Sequence, residues 1–433
     1  MEISGRVSGH GPASGRCASL HARFANRRHG WRFRPFPTVG VADGRRPRDD
    51  AAAPLLSPVI PGAGRAAPMP SRGRRPAMAD PRTTARLSQV TTFGHQVTGV
   101  TVAEDGRIFV CFPRWTEDSP VSVAEVMRDG TTRPYPDARW NAWRNARKDE
   151  LPAGEHFVCV QSVVADGRGS LWVLDPAAPA QGYVVPGGPK LVRVDLARDK
   201  VAQTIAFDET AAPQGSYLND VRLSPDGRRA YITDSGAKGA LVVVDLEGGG
   251  AWRHLDGHPS TQPEPDVQVR TDGQVLRRPD GRGVESAADG IALSADGRHL
   301  YWQAIKGRTL YRVPTSALER DAGAVADRVE RVGDNGVADG ILIDRSGTRM
   351  YVTAPEEDAV KLRDLGTAGG TPELLVRDDR LRWPDTLSEG PDGAIYLTTS
   401  HIQDSAFFKP DAPASLPTQL WRIDLPWAGR EAR

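Results

Sequence analysis

From about residue 90 onward the chain alternates apolar and polar positions in short runs with a period of two, the pattern of half-buried strands rather than helices. One local theme recurs: a short apolar run, a turn holding Asp-Gly or a similar pair, then a second run with an aromatic near its start. Six copies read VTGVTVAEDGRIFV, VQSVVADGRGSLWVL, NDVRLSPDGRRAYIT, ADGIALSADGRHLYW, ADGILIDRSGTRMYVT and PDTLSEGPDGAIYLT. Their turn glycines, Gly106, Gly169, Gly227, Gly297, Gly347 and Gly393, follow one another at 63, 58, 70, 50 and 46 residues. A tight turn between two strands needs positive φ, which glycine adopts freely, so each copy predicts a β-hairpin.

Further apolar strands follow the hairpins, as in LVRVDL (191–196), LVVVDL (241–246), TLYRVP (309–314) and QLWRIDL (419–425). A unit near 50 residues, with three or four strands and almost no helical periodicity, is the mark of propeller blades. The expectation is an all-β protein, a six-bladed β-propeller over residues 86–433. A β-sandwich would not naturally repeat one hairpin six times. The last blade would take its missing strand from near residue 90 and so close the ring.

Residues 1–85 break the pattern. They are rich in Arg, Pro, Gly and Ala without apolar periodicity, and such a segment buries too little surface to offset its chain entropy. A disordered extension is expected, or a true start at Met78. No secretory signal is visible, although an Arg-rich, acid-poor leader also reads as a transit peptide, so both secretion and a cytoplasmic place stay open. Nor does any run approach the roughly 18 apolar residues of a membrane-spanning helix.

The net charge of +1 hides a division. Residues 1–80 carry fourteen Arg against five acids, +9, and the remaining 42 bases and 50 acids leave −8. An acidic body without a basic stripe argues against nucleic acid as a partner. The three cysteines, Cys17, Cys111 and Cys159, have no metal-ligand spacing, and the latter two sit in apolar runs as small hydrophobes would, with a disulfide between them left open.

Aligned on their turn glycines, the six copies share a polar residue eight positions earlier: Thr98, Gln161, Asn219, Asp289, Asp339 and Asp385. The first strand of each blade lines the axis of a propeller, so these positions should converge at one face of the channel. Asp220, beside Asn219, adds a further oxygen. Crowded carboxylates resist ionisation unless a positive charge lies between them, which a cation or amine ligand would supply. Hard oxygen donors favour Ca²⁺ or Mg²⁺. On this reading the seven residues bind a ligand, Asn219, Asp289 and Asp339 are metal-ligand candidates, and Asp289, Asp339 and Asp385 are catalytic candidates. Asp-Gly pairs are also common turn chemistry, and strand-start polar groups often only satisfy backbone N–H groups.

The segments IFVCFPRW (108–115), SLWVLD (170–175), NDVRLSPDGRRAYITDS (219–235), GRTLYRV (307–313) and PDTLSEGPDGAIYLTTS (384–400) resemble the major royal jelly and Yellow proteins, in the same order and over residues 90 to the end. The resemblance, to a bacterial-type member, implies a six-bladed propeller. It brings insect relatives that are secreted, some of which bind biogenic amines in the channel, and a Yellow branch associated with dopachrome conversion. A more distant likeness is to the gluconolactonase and senescence marker family, which holds one divalent metal on a Glu, an Asn and an Asp. Asn219 matches that Asn and Asp289 or Asp339 that Asp, but Thr98, Gly99 and Val100 stand where the Glu belongs, so Asp385 would have to serve instead.

Three functions follow as expectations: binding of a small molecule or divalent cation in an acidic channel, a metal-dependent hydrolase of gluconolactonase type or an isomerase, or a scaffold for an unknown protein partner. No nucleophile elbow, phosphate loop or paired-histidine zinc motif is present.

Overall fold

A computed structural model describes residues 84–428, apart from 116, 182, 321–322, 367–369 and 412–414. The readings of the N-terminal extension, its disorder and a start at Met78, lie outside the described residues, as does Cys17. The chain folds as a six-bladed β-propeller of four-stranded antiparallel sheets.

Blade one comprises Val100–Val102, Ile108–Cys111, Val123–Val126 and Thr132–Pro134. Blades two and three begin with inner strands Ser162–Ala165 and Leu218–Leu223, and blades four and five with Ala288–Leu293 and Ile341–Ile343. Blade six begins with Pro384–Glu389 and is built from both ends of the domain: Arg86–Phe93 pairs with Thr418–Asp424 from Arg86 opposite Asp424 to Phe93 opposite Thr418. The strand expected from near residue 90 therefore closes the ring.

The six hairpin glycines all sit at positive φ, between 72° and 85°. In blades three and four the turn is tightened further, because the hydroxyls of Ser224 and Ser294 reach Asp226 and Asp296 at 2.6 Å and accept backbone N–H groups across the loop.

The apolar surface is buried between blades. Phe109 and Cys111 of blade one pack against Leu171 and Val173 of blade two; Leu174 and Leu191 then meet Ile232 and Val242 of blade three. The series continues through Leu241 with Trp302, Leu310 with Met350, and Tyr351 with Trp421, and ends with Leu420 against Val100 and Val110. Each sheet is covered on both faces, so middle strands such as Ser170–Asp175 are buried at every position rather than at alternate ones.

Two smaller apolar clusters lie outside the blades. One joins Trp115, Trp143, Val184 and Tyr217; the other joins Val269, Leu276 and Val284 of the insertion between blades three and four to Ile305, Val337 and Trp383. Both anchor loops around the start of the inner strands. Cys111 and Cys159 are buried and free, so the disulfide left open does not form.

Candidate functional site

Asp289 and Gly290 lie within the inner strand of blade four, and Asp339 and Gly340 just precede that of blade five, so here Asp-Gly is not a turn signal. Each glycine allows a close approach. A Cβ on Gly290 would stand 2.2 Å from the Asp339 carbonyl oxygen, and one on Gly340 2.1 Å from that of Asp385. Neighbouring inner strands can therefore press together, and the three aspartates arrive side by side.

A directed chain of hydrogen bonds runs around the axis. Trp115 Nε1 donates to the Tyr217 hydroxyl, which donates to Gln161 Oε1 at 2.9 Å. Gln161 Nε2 donates to Asn219 Oδ1 at 2.8 Å, and Asn219 Nδ2 donates to Asp289 Oδ2 at 2.5 Å. Ser286 Oγ adds a second donor to the same oxygen at 2.9 Å. From the other side Trp383 Nε1 donates to Asp339 Oδ2 at 2.6 Å. Gln161 is itself held from behind: the Asp175 carboxylate accepts the backbone N–H groups of Val158 and Cys159, and is paired with the buried Lys190 ammonium at 2.8 Å.

The three carboxyl groups are almost wholly buried. Burial, and then the nearby Asp339 charge, push Asp289 and Asp385 well above the ordinary carboxylate range. Asp339 is pushed up to about 7, again chiefly by burial, with the Trp383 N–H acting in the opposite sense. Each of the three carboxyls therefore holds a proton more tightly than a solvent-exposed aspartate does, and the Asp289 and Asp339 groups titrate as neighbours that influence one another. Burial and mutual repulsion thus favour protonation, the alternative to a bound cation as a relief of the crowding.

Above these groups opens a cavity of about 350 Å³. Gln161, Asn219, Asp289, Asp339 and Asp385 line it, five of the seven residues singled out as ligand-binding. Thr98 and Asp220 are not among the lining residues. The Thr98 hydroxyl turns to the Gln161 carbonyl at 3.4 Å, and Asp220 sits deeper, with one oxygen 3.6 Å from Arg222 Nη2. Burial raises the Asp220 carboxyl, which Arg222 partly offsets.

The wall is aromatic and comes from loops: Trp115, Tyr217, Trp383, Phe407 and Phe408, with Arg278 at the rim. Sequence reasoning missed all six: Tyr217 and Trp383 share one aligned position, ten residues before Gly227 and Gly393, but the other copies carry Gln96, Cys159, Ala287 and Val337 there, and the remaining four have no counterpart in the aligned hairpins. His401, Trp302 and Gln303, weighed as possible neighbours of the channel, are structural. His401 is buried against the Ser415 carbonyl and Gln419, Trp302 donates to the Ser260 carbonyl, and Gln303 to that of Gly336.

As arranged, the donors do not fit a divalent cation. Among the described residues no three His, Cys, Asp or Glu side chains form a group that could hold a metal ion. Asn219 directs its amide nitrogen, not its oxygen, toward Asp289, whose carboxyl burial pushes well above the ordinary carboxylate range.

A second cavity of about 270 Å³ lies at the opposite ends of the inner strands, lined by Val100, Val163, Arg222, Leu342 and Thr386 among others, and shares no lining residue with the first. Arg222, one of its lining residues, reaches from blade three to donate to the Ile341 carbonyl of blade five at 3.2 Å.

Solved structures similar to this chain include a gluconolactonase from Xanthomonas campestris, at 15% identity and TM-score 0.48, covering 79% of this chain and 90% of that one. A luciferin-regenerating enzyme matches at 12% identity and TM-score 0.47, covering 78% and 95%. The calcium-binding protein regucalcin from Agrobacterium tumefaciens matches at 16% and 0.43, covering 79% and 94%. No curated protein matches by sequence. The family model for major royal jelly proteins matches residues 158–399, more than half of the sequence and five of the six inner strands in full, and the chain belongs to the major royal jelly protein family.

Proposed function

We propose that the protein binds a small organic cation, an amine with an apolar body, in the cavity at the mouth of its channel. The observation that carries this reading is the convergence of Asp289, Asp339 and Asp385 from three successive blades onto the floor of a cavity with aromatic walls. An ammonium group set among these carboxyls supplies the positive charge that lets them ionise, and its N–H groups find charge-assisted acceptors. Trp115, Tyr217 and Trp383 offer π-faces and apolar area to the rest of the molecule. The resemblance to royal jelly and Yellow proteins, with their amine-binding members, points the same way.

Calorimetry of the full chain with phenethylamine tests the reading. Binding requires Asp339 ionised, so protons are released and affinity rises by about tenfold between pH 6 and pH 8 as the pH passes through the Asp339 value. Asp339→Asn weakens binding and flattens the pH dependence. No binding by phenethylamine at either pH would sink the reading.

Divalent-cation binding by Asn219, Asp289 and Asp339 requires the two acids to ionise and the Asn219 amide to turn its oxygen inward. Titration with Ca²⁺ and Mg²⁺ decides this alternative, and a hydrolase or isomerase using Asp289, Asp339 or Asp385 with such a metal depends on the same result. Lactone opening above background with added metal, lost in Asp339→Asn, would establish that enzymatic form.

A further inference from the structure

Arg278 reaches the cavity from the insertion between blades three and four. Its backbone is fixed in a tight turn, with its own N–H donating to the Arg282 carbonyl at 2.7 Å and its carbonyl accepting from Gly281 at 2.9 Å. The guanidinium lies over the rings of Phe407 and Phe408, 5.4 and 6.0 Å from their centroids. Arg278 is the one basic side chain among the described residues that line the cavity. Its Nε is buried and has no hydrogen-bond partner among the described residues. The nearby acids make their ion pairs with Arg282 instead, Asp280 at 2.7 Å and Glu285, also on the cavity wall, at 3.4 Å, although Asp280 also feels the Arg278 charge.

A buried guanidinium nitrogen without an acceptor is costly, and an acceptor brought by a ligand would remove that cost. The cavity is therefore bipolar, with carboxyl groups on its floor, one guanidinium at its rim and aromatic rings between. We propose that the ligand is a zwitterion, whose ammonium group meets Asp289, Asp339 and Asp385 and whose carboxylate is held by Arg278. A carboxylate matches one guanidinium in charge and in its paired oxygens, whereas a phosphate dianion would leave excess negative charge beside Glu285. This assignment rests on the amine reading and adds the second half of the molecule.

Three probes that share a phenyl ring separate the two ideas in the full chain: phenethylamine carries only the amine, 3-phenylpropionate only the acid, and phenylalanine both. Phenylalanine is expected to bind about tenfold or more tightly than either of the others. In Arg278→Gln the preference for phenylalanine over phenethylamine falls to about one, and in Arg278→Lys, which keeps the charge but loses the fork, it is intermediate. If phenethylamine binds and phenylalanine binds no better, or if the preference survives in Arg278→Gln, the Arg278 assignment falls and the amine reading stands. If neither binds, both fall.

Discussion

Asp339 is an acid whose folded environment holds its proton to near neutrality, and this reverses the usual effect of pH on stability. Its value of about 7 in the folded protein lies above the roughly 3.9 of an unfolded aspartate, so between these pH values the folded state binds the proton more strongly. The stabilisation is complete below about pH 4 and is lost as pH rises through about 7. Asp289 and Asp385, raised in the same direction, add to the trend. In Asp339→Asn the amide oxygen still accepts the Trp383 N–H, and no charge has to be buried at high pH. That variant should be more stable than the wild type at pH 8 by on the order of 1–3 kcal/mol, with the gap closing by pH 5. Urea unfolding at the two pH values measures it, and a gap independent of pH would refute the account.

At the scale of strands and loops, what could be read from the sequence divides cleanly. The inner strands repeat, so aligning Gly106 through Gly393 brought Gln161, Asn219, Asp289, Asp339 and Asp385 to one place, and the cavity is lined by all five. Thr98 shares the alignment but not the direction, because its hydroxyl is satisfied by the Gln161 carbonyl. The loops carry no repeated residue type, and even Tyr217 and Trp383, which share an aligned position, have unlike residues in the other four copies. Trp115, Tyr217, Arg278, Trp383 and Phe407 reach the cavity from five different connections, and nothing short of tertiary packing tells which loop residues turn inward. The Asp-Gly pairs carried an ambiguous signal, resolved only when Gly290 and Gly340 proved to lie against the next blade. Closure of the sixth blade was legible, and it makes Trp421 a sensitive position. Trp421 is fully buried between blades five and six, donates to Thr399 Oγ1 at 3.2 Å, and carries the Arg380 guanidinium on its ring at 4.9 Å. Trp421→Ala should cost about 3–5 kcal/mol in denaturant unfolding; a loss below about 1 kcal/mol would mean that this closure contributes little.

For the whole molecule, six interblade cores make a ring in which every sheet is supported by two neighbours, and the axis is where their polar strand starts collect. Arg222 ties blade three to blade five and lines the second cavity, which shares no lining residue with the first. Shortening that side chain in Arg222→Ala removes this tie, deprives buried Asp220 of its nearest cation and is expected to open a path between the two spaces. Stopped-flow dissociation of a bound aromatic amine should then be faster in the variant than in the wild type, and an unchanged rate would show that the arginine does not bar the way.

A guest entering or leaving at the mouth passes the Phe407 and Phe408 rings and the Arg278 guanidinium lying over them. Residence time is then a property of this threshold, governed by two surface connections, while the blades beneath hold the floor still. Changes in those connections could tune how long a guest stays without disturbing the groups that recognise its charge.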